Sequence, residues 1–113
     1  MALTLEIGRE MPDKRILMQA YKTHSDGVLL ALISGATGLR IKIWRMFVTC
    51  AASGKNCQVL SGTDPFTTLY GQQHQLRSSG GIPVFTCNAG EDFKADPDDG
   101  TAWFYHIVYS MEP

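Results

Sequence analysis

The stretch LRIKIWRMFVT at residues 39–49 constrains this chain more than any other segment. Leu39, Ile41 and Ile43 alternate with Arg40 and Lys42. A period of two places the three apolar residues on one face of a strand and the two cations on the other. A strand with one apolar face needs a second layer to cover it. After Trp44 the alternation fails, because an unbroken period would turn Arg45 inward and Met46 outward. One extra residue reverses the facing of everything that follows it, so the spacing predicts a β-bulge between Trp44 and Met46.

A second strong strand is AWFYHIVYS at residues 102–110, composed almost entirely of β-branched and aromatic residues. Its period places Trp103, Tyr105, Ile107 and Tyr109 on one face and Phe104, His106 and Val108 on the other. Weaker strands are read at residues 3–7, 15–21, 27–34, 57–60, 66–70 and 82–86. Turn chemistry separates them: Ser25-Asp26-Gly27, Ser34-Gly35-Ala36-Thr37-Gly38, Ser53-Gly54-Lys55-Asn56, Ser61-Gly62-Thr63-Asp64-Pro65, Ser78-Ser79-Gly80-Gly81 and Asp96-Pro97-Asp98-Asp99-Gly100. Many short strands with regular turns predict an all-β chain, a single antiparallel β-sandwich of jelly-roll-like form. Residues 11–22 are the best helix candidate, but their apolar positions make no stripe at period 3.6; a strand is expected, with a helical turn as the alternative. Residues 1–24 carry no strong turn. They read either as an N-terminal arm that packs on a neighbour or as edge strands of the same sheet, ahead of a sandwich domain over residues 25–113.

Composition narrows the function. The 113 residues suffice for one core, and 10 Lys and Arg against 11 Asp and Glu leave a net charge of −1. With a pI near 6.2 the chain lacks the basic surplus of a protein that captures nucleic acid through its phosphates. The charged fraction of 19% is below the roughly 25% of average domains, which hints at a partner surface. The longest apolar run, VLLALI at residues 28–33, is far short of the roughly 20 residues of a membrane-spanning helix, and no membrane partner is expected. Glu6, Arg9 and Glu10 stand where a signal peptide would need an apolar run, so folding in the cytoplasm is expected.

The residues able to do chemistry are scattered. His24 sits beside a turn and is expected in solvent, His74 reads as a polar strand or loop residue, and His106 as a hydrogen-bonded histidine within a sheet. Cys50, Cys57 and Cys87 have no paired zinc-ligand spacing. If residues 39–61 formed a hairpin, Cys50 and Cys57 could face one another within disulfide reach; the alternative is reduced, half-buried thiols. The acidic segment at residues 91–100 lacks the calcium-loop spacing and reads as a solvated turn. No nucleophile motif, phosphate loop or zinc-protease motif is present, so no enzymatic activity, metal or cofactor is expected. Arg40, Lys42 and Arg45 could meet an acidic partner surface or form a solvated strand face. Trp44, Trp103 and Tyr105 could stack on a sugar as an exposed platform or fill the core, and Trp103 and Tyr105 join the three cations as candidate partner-binding residues.

The order of features is itself informative. Ser25-Asp26-Gly27 leads into VLLALISG. Gly38-Leu39-Arg40-Ile41-Lys42-Ile43 then has the form G-x-[KR]-I-[KR]-[IV]. Val48-Thr49-Cys50-Ala51-Ala52-Ser53 follows, then a strand ending in Ser61-Gly62-Thr63, a Gly80-Gly81 pair before Ile82-Pro83-Val84-Phe85, and a last strand with Tyr109. Over about residues 25–110 this order resembles that of small β-sandwich virion proteins of tailed bacteriophages. The chain departs from them at Asn88-Ala89-Gly90-Glu91-Asp92-Phe93, where a Gly-Trp-Phe-like run is usual, and in its acidic turn. The resemblance implies a structural role on the virion capsid surface. There the chain would be a decoration (cement) protein bound to the major capsid protein, with a homotrimer suited to local threefold sites and no catalytic residues. A tail or receptor/carbohydrate-binding module is the alternative, which an aromatic shown on the surface beside polar groups would favour. Three scattered histidines argue against a cupin-like metal domain.

Overall fold

The computed structural model describes residues 9–10 and 16–113. Among them are ten strands and no helix: β1 (Arg9–Glu10), β2 (Ile16–His24), β3 (Leu30–Ile33), β4 (Arg40–Cys50), β5 (Asn56–Ser61), β6 (Asp64–Tyr70), β7 (Gln73–Arg77), β8 (Phe85–Thr86), β9 (Phe93–Pro97) and β10 (Trp103–Glu112). They form two antiparallel sheets. The larger runs β1-β2-β10-β4, and the far edge of β4 is shared by β7 and β8; the smaller runs β3-β9-β5-β6. The chain is all-β, and its two layers are those of a sandwich.

β10 lies at the centre of the larger sheet and organises the core. Trp103 and Ile107 are fully buried and Tyr105 nearly so, as their alternation predicts. In one apolar cluster with them are Ile41, Ile43, Met46 and Val48 of neighbouring β4 and, from the opposite sheet, Cys57 and Val59 of β5 and Phe93 and Ala95 of β9. Each large side chain buried this way contributes about 1.5–3 kcal/mol. Tyr105 Oη lies 3.4 Å from Cys57 Sγ and ties the two sheets across the interior. At the β8 side, Phe66 of the smaller sheet stacks on Phe85 of the larger, with ring centroids 4.7 Å apart.

The bulge falls where the broken alternation requires it. Val108 pairs with Arg45 and Tyr109 with Ile43, so Trp44 is the extra residue of β4. Arg45 is exposed and Met46 is fully buried, the reverse of an unbroken period. Trp44 covers the outer side of the sheet with Leu17 and Val108, forming a second, smaller apolar cluster.

Several expectations are corrected. Residues 39–61 are not a hairpin: β4 pairs with β10, β7 and β8, whereas β5 pairs with β9 and β6. The intervening loop crosses from one sheet to the other, and Cys50 and Cys57 are free thiols in different sheets. The acidic segment contains a core strand, because Phe93, Ala95 and Pro97 point inward between its charged residues. Residues 27–34 and 82–86 shorten to Leu30–Ile33 and Phe85–Thr86, and Gln73–Arg77 is an additional strand. His24 is buried rather than solvated, because β2 runs on to it and sets it beside Trp103. Its Nε2 lies 2.7 Å from Asp26 Oδ1, though outside hydrogen-bond angles. Of the N-terminal segment, Ile16–His24 is a strand that pairs with β10 over seven positions. The strand expected at residues 3–7, and the remainder of the expected arm apart from Arg9 and Glu10, lie outside the described residues.

Candidate functional site

The larger sheet turns one face to the core and the other outward. Pairing along β10 fixes who shares the outer face: Phe104 lies between Thr23 and Thr49, His106 between Tyr21 and Phe47, and Val108 between Gln19 and Arg45. β7 extends these rows with Gln73, Gln75 and Arg77 opposite Thr49, Phe47 and Arg45. Near the bulge this face is closed by Trp44. Beyond it two clefts flank the Phe47–His106 row. One, of about 330 Å³, is walled by Arg45, Gln75, Arg77 and Val108. The other, of about 320 Å³, is walled by Tyr21, Thr23, Thr49 and Phe104.

Tyr21 is 64% exposed on this surface, and Phe104 is 46% exposed. The Tyr21 ring stacks on His106 at a centroid distance of 4.3 Å and 7° between planes. Gln19 Oε1 accepts a hydrogen bond from Tyr21 Oη and one from His106 Nε2, each 2.9 Å long. An amide oxygen cannot donate, so His106 carries its proton on Nε2 in this arrangement. One face of the Tyr21 ring is therefore covered by His106.

A second surface lies at the end of the sandwich where β2 leads to β3, β4 to β5, β6 to β7 and β9 to β10. These loops brace one another. Lys55 Nζ donates to Asp99 Oδ2 at 2.6 Å, Asp98 N to Asn56 O at 3.0 Å, and Gly71 N to Lys55 O at 3.2 Å. The ammonium of Lys55, with the amide of Thr101, holds the Asp99 carboxyl down at about 2. Gly27 has φ +71° and packs so closely on the Asp99 backbone that a Cβ would lie 2.8 Å from its carbonyl carbon. Beside this frame Val28, Leu29 and Tyr70 are exposed at 55%, 46% and 67%.

The sequence-derived site residues separate. Trp103 and Tyr105, proposed from sequence as partner-binding, are 0% and 2% exposed and belong to the core; they face the smaller sheet, which covers them. Trp44 is also buried and offers no platform. Arg40, Lys42 and Arg45 do share the outer side of β4. Lys42 is engaged with Glu112 at 3.1 Å, and Arg45 borders the first cleft. The exposed aromatics Tyr21 and Phe104, and half-buried Phe47 between them, were not singled out from sequence. Tyr21 lies in a weakly patterned strand, and the alternation of β10 says that Phe104 opposes Trp103 without saying which side is covered.

No group of His, Cys, Asp or Glu among the described residues is arranged to hold a metal ion. The cysteine thiols are in the core, where burial pushes Cys57 up and Cys87 to about 11. No described helix is long and apolar enough to cross a membrane. Comparison with known family models and with curated proteins finds no match to this chain.

Proposed function

We propose that this protein is a structural virion component, a capsid decoration (cement) protein that binds the outside of an assembled phage head and stabilises it. The observation that carries the reading is the braced loop end with exposed Val28, Leu29 and Tyr70. A rigid frame presents apolar side chains with little ordering cost on contact, which suits adhesion to another protein. The major capsid protein is the proposed partner, following the resemblance in strand and turn order. Binding only the assembled shell would favour that shell by mass action. A homotrimer matches local threefold positions on such a shell.

The test is co-sedimentation with heads assembled from the major capsid protein encoded in the same genome, with heat disruption of loaded and bare heads. Wild-type protein is expected to pellet with heads and raise their disruption temperature. The Val28→Ser/Leu29→Ser/Tyr70→Ser variant should stay folded and remain in the supernatant. Heads equally robust with and without the protein would overturn the reading.

A second reading, a tail or receptor/carbohydrate-binding module, is favoured by one specific observation. Exposed Tyr21 and Phe104 lie beside the hydroxyls of Thr23 and Thr49 and the amide of Gln19 on the sheet's outer face. Sedimentation with tails in place of heads would select it.

A further inference from the structure

Along one side of the sandwich the sheets end at β2 and β3. Among the described residues β3 pairs only with β9. β2 pairs with β10 from Met18 to His24, but among the described residues its other edge meets a strand only at Ile16 and Leu17, through β1. Beyond Leu17 that edge borders a cleft of about 410 Å³ between the sheets, lined by Ala20, Lys22, Leu32, Ile33, Ser34 and Tyr109. Backbone N–H and C=O groups along such an edge are a template for an extended strand. Lys22 borders it, exposed and without a carboxylate partner among the described residues.

We infer that this edge is a strand-accepting site whose occupant is residues 2–8 of the same chain, continuing β1 in its register. The β1–β2 ladder is antiparallel and pairs Arg9 with Leu17 and Glu10 with Ile16. Continued residue by residue, it sets Ile7, Leu5 and Leu3 opposite Gln19, Tyr21 and Thr23, and Glu6 and Thr4 opposite Ala20 and Lys22. Directly opposed residues of an antiparallel pair share a face. The period of two in ALTLEIG then puts Leu5 against Tyr21 and Ile7 diagonal to Leu17 on the outer face. Glu6 falls on the cleft side, diagonal to Lys22, and supplies the carboxylate that Lys22 lacks. A shift of one residue would turn Glu6 to the outer face and break that match. Glu10 and Ile16 are joined by residues 11–15, a connection of five residues, which hairpins use. The ladder is thus intrachain and needs no second copy. Occupation closes an edge that would otherwise recruit strands from other molecules. The inference rests on the ladder and the cleft, independently of the loop end.

Amide exchange and cross-linking of the full chain test it. In the wild-type protein, consecutive amides from Gln19 to Thr23 should be protected, because one alternate set bonds β10 and the other bonds residues 2–8. Protection of only the alternate set, with residues 2–8 exchanging at the unfolded rate, would overturn the inference. Leu3→Cys/Thr23→Cys should form an intramolecular disulfide on mild oxidation, since directly paired Cα atoms lie about 4.5–5.5 Å apart. The native thiols are buried and should not compete. Thr4→Cys/Thr23→Cys puts the two thiols on opposite faces and should not close. A disulfide-linked dimer would give the site to a second copy's segment, and equal closure of both pairs would remove the register; either result overturns the inference. Lys22→Glu should speed exchange at residues 3–7 about threefold, and Lys22→Glu/Glu6→Lys should restore it. Failure of the double variant to recover would overturn the placement of Glu6.

Discussion

Trp44 Nε1 donates a 2.8 Å hydrogen bond to Ser110 Oγ, joining the bulged residue of β4 to the end of β10. Ser110 Oγ in turn donates a hydrogen bond to Glu112 Oε2 at 2.6 Å, and Lys42 Nζ donates to the other carboxylate oxygen at 3.1 Å. The residue that breaks the alternation is thus held by an indole N–H satisfied inside a buried apolar cluster, as a buried polar atom requires.

Trp44→Phe should keep the packing on Leu17 and Val108 but lose this bond, lowering unfolding free energy by about 1 kcal/mol. Trp44→Ala also removes the packing and should cost about 3 kcal/mol or more. Urea unfolding followed by circular dichroism gives both values. Equal losses for the two variants would show that the bond alone matters.

The thiols should be silent in the native state. All three cysteines are free and buried, so a disulfide reagent should label none rapidly in native protein and all three after denaturation. Burial raises the folded pKa of Cys87 from 9.0 to about 11. A raised folded value means that its contribution is present below pH 9 and is lost as pH climbs toward 11, because the unfolded chain ionises first. Cys87→Ala should flatten the fall in melting temperature over that window. An unchanged slope would contradict the assignment.

Acid should loosen the loop end first. The folded pKa of Asp99 is depressed from 3.8 to about 2 by Lys55 and Thr101. A depressed carboxylate contributes stability above its unfolded pKa, and that contribution disappears as pH falls from about 4 to 2. Asp99→Asn should show a shallower loss of melting temperature across this range than wild type. Amide exchange should show earlier opening at residues 51–55 and 98–102 in the variant at neutral pH.

Two glycines with similar backbones should respond differently to alanine. Gly27 and Gly54 have φ of +71° and +74°, but only Gly27 is crowded, with backbone atoms of Asp99 and Gly100 within about 3 Å of a Cβ. Gly54→Ala should cost about 1–2 kcal/mol from the left-handed conformation alone. Gly27→Ala must also displace the braced loop and should cost clearly more. Matching thermal shifts would show that the loop yields freely.

What the sequence determined by itself is local facing. The run LRIKIWRMFVT specifies the β4 bulge, since only an extra residue reconciles Ile43 inside with Met46 inside and Arg45 outside. The alternation in AWFYHIVYS likewise separates Trp103, Tyr105 and Ile107 from Phe104 and His106. Dense turn residues specify an all-β chain. Tertiary structure decided which face is covered and which strands share a sheet. β9 was hidden because its inward residues Phe93, Ala95 and Pro97 are spaced by charges, and its strand status rests on pairing with β5 and β3. Only six residues separate Cys50 from Cys57, yet a loop sends them to different sheets. The aromatic outer face emerged only when β2, β4 and β7 were laid beside β10. Tyr21, Phe47, Gln75 and Phe104 come from four separate segments, and no periodicity within one strand encodes the register between strands.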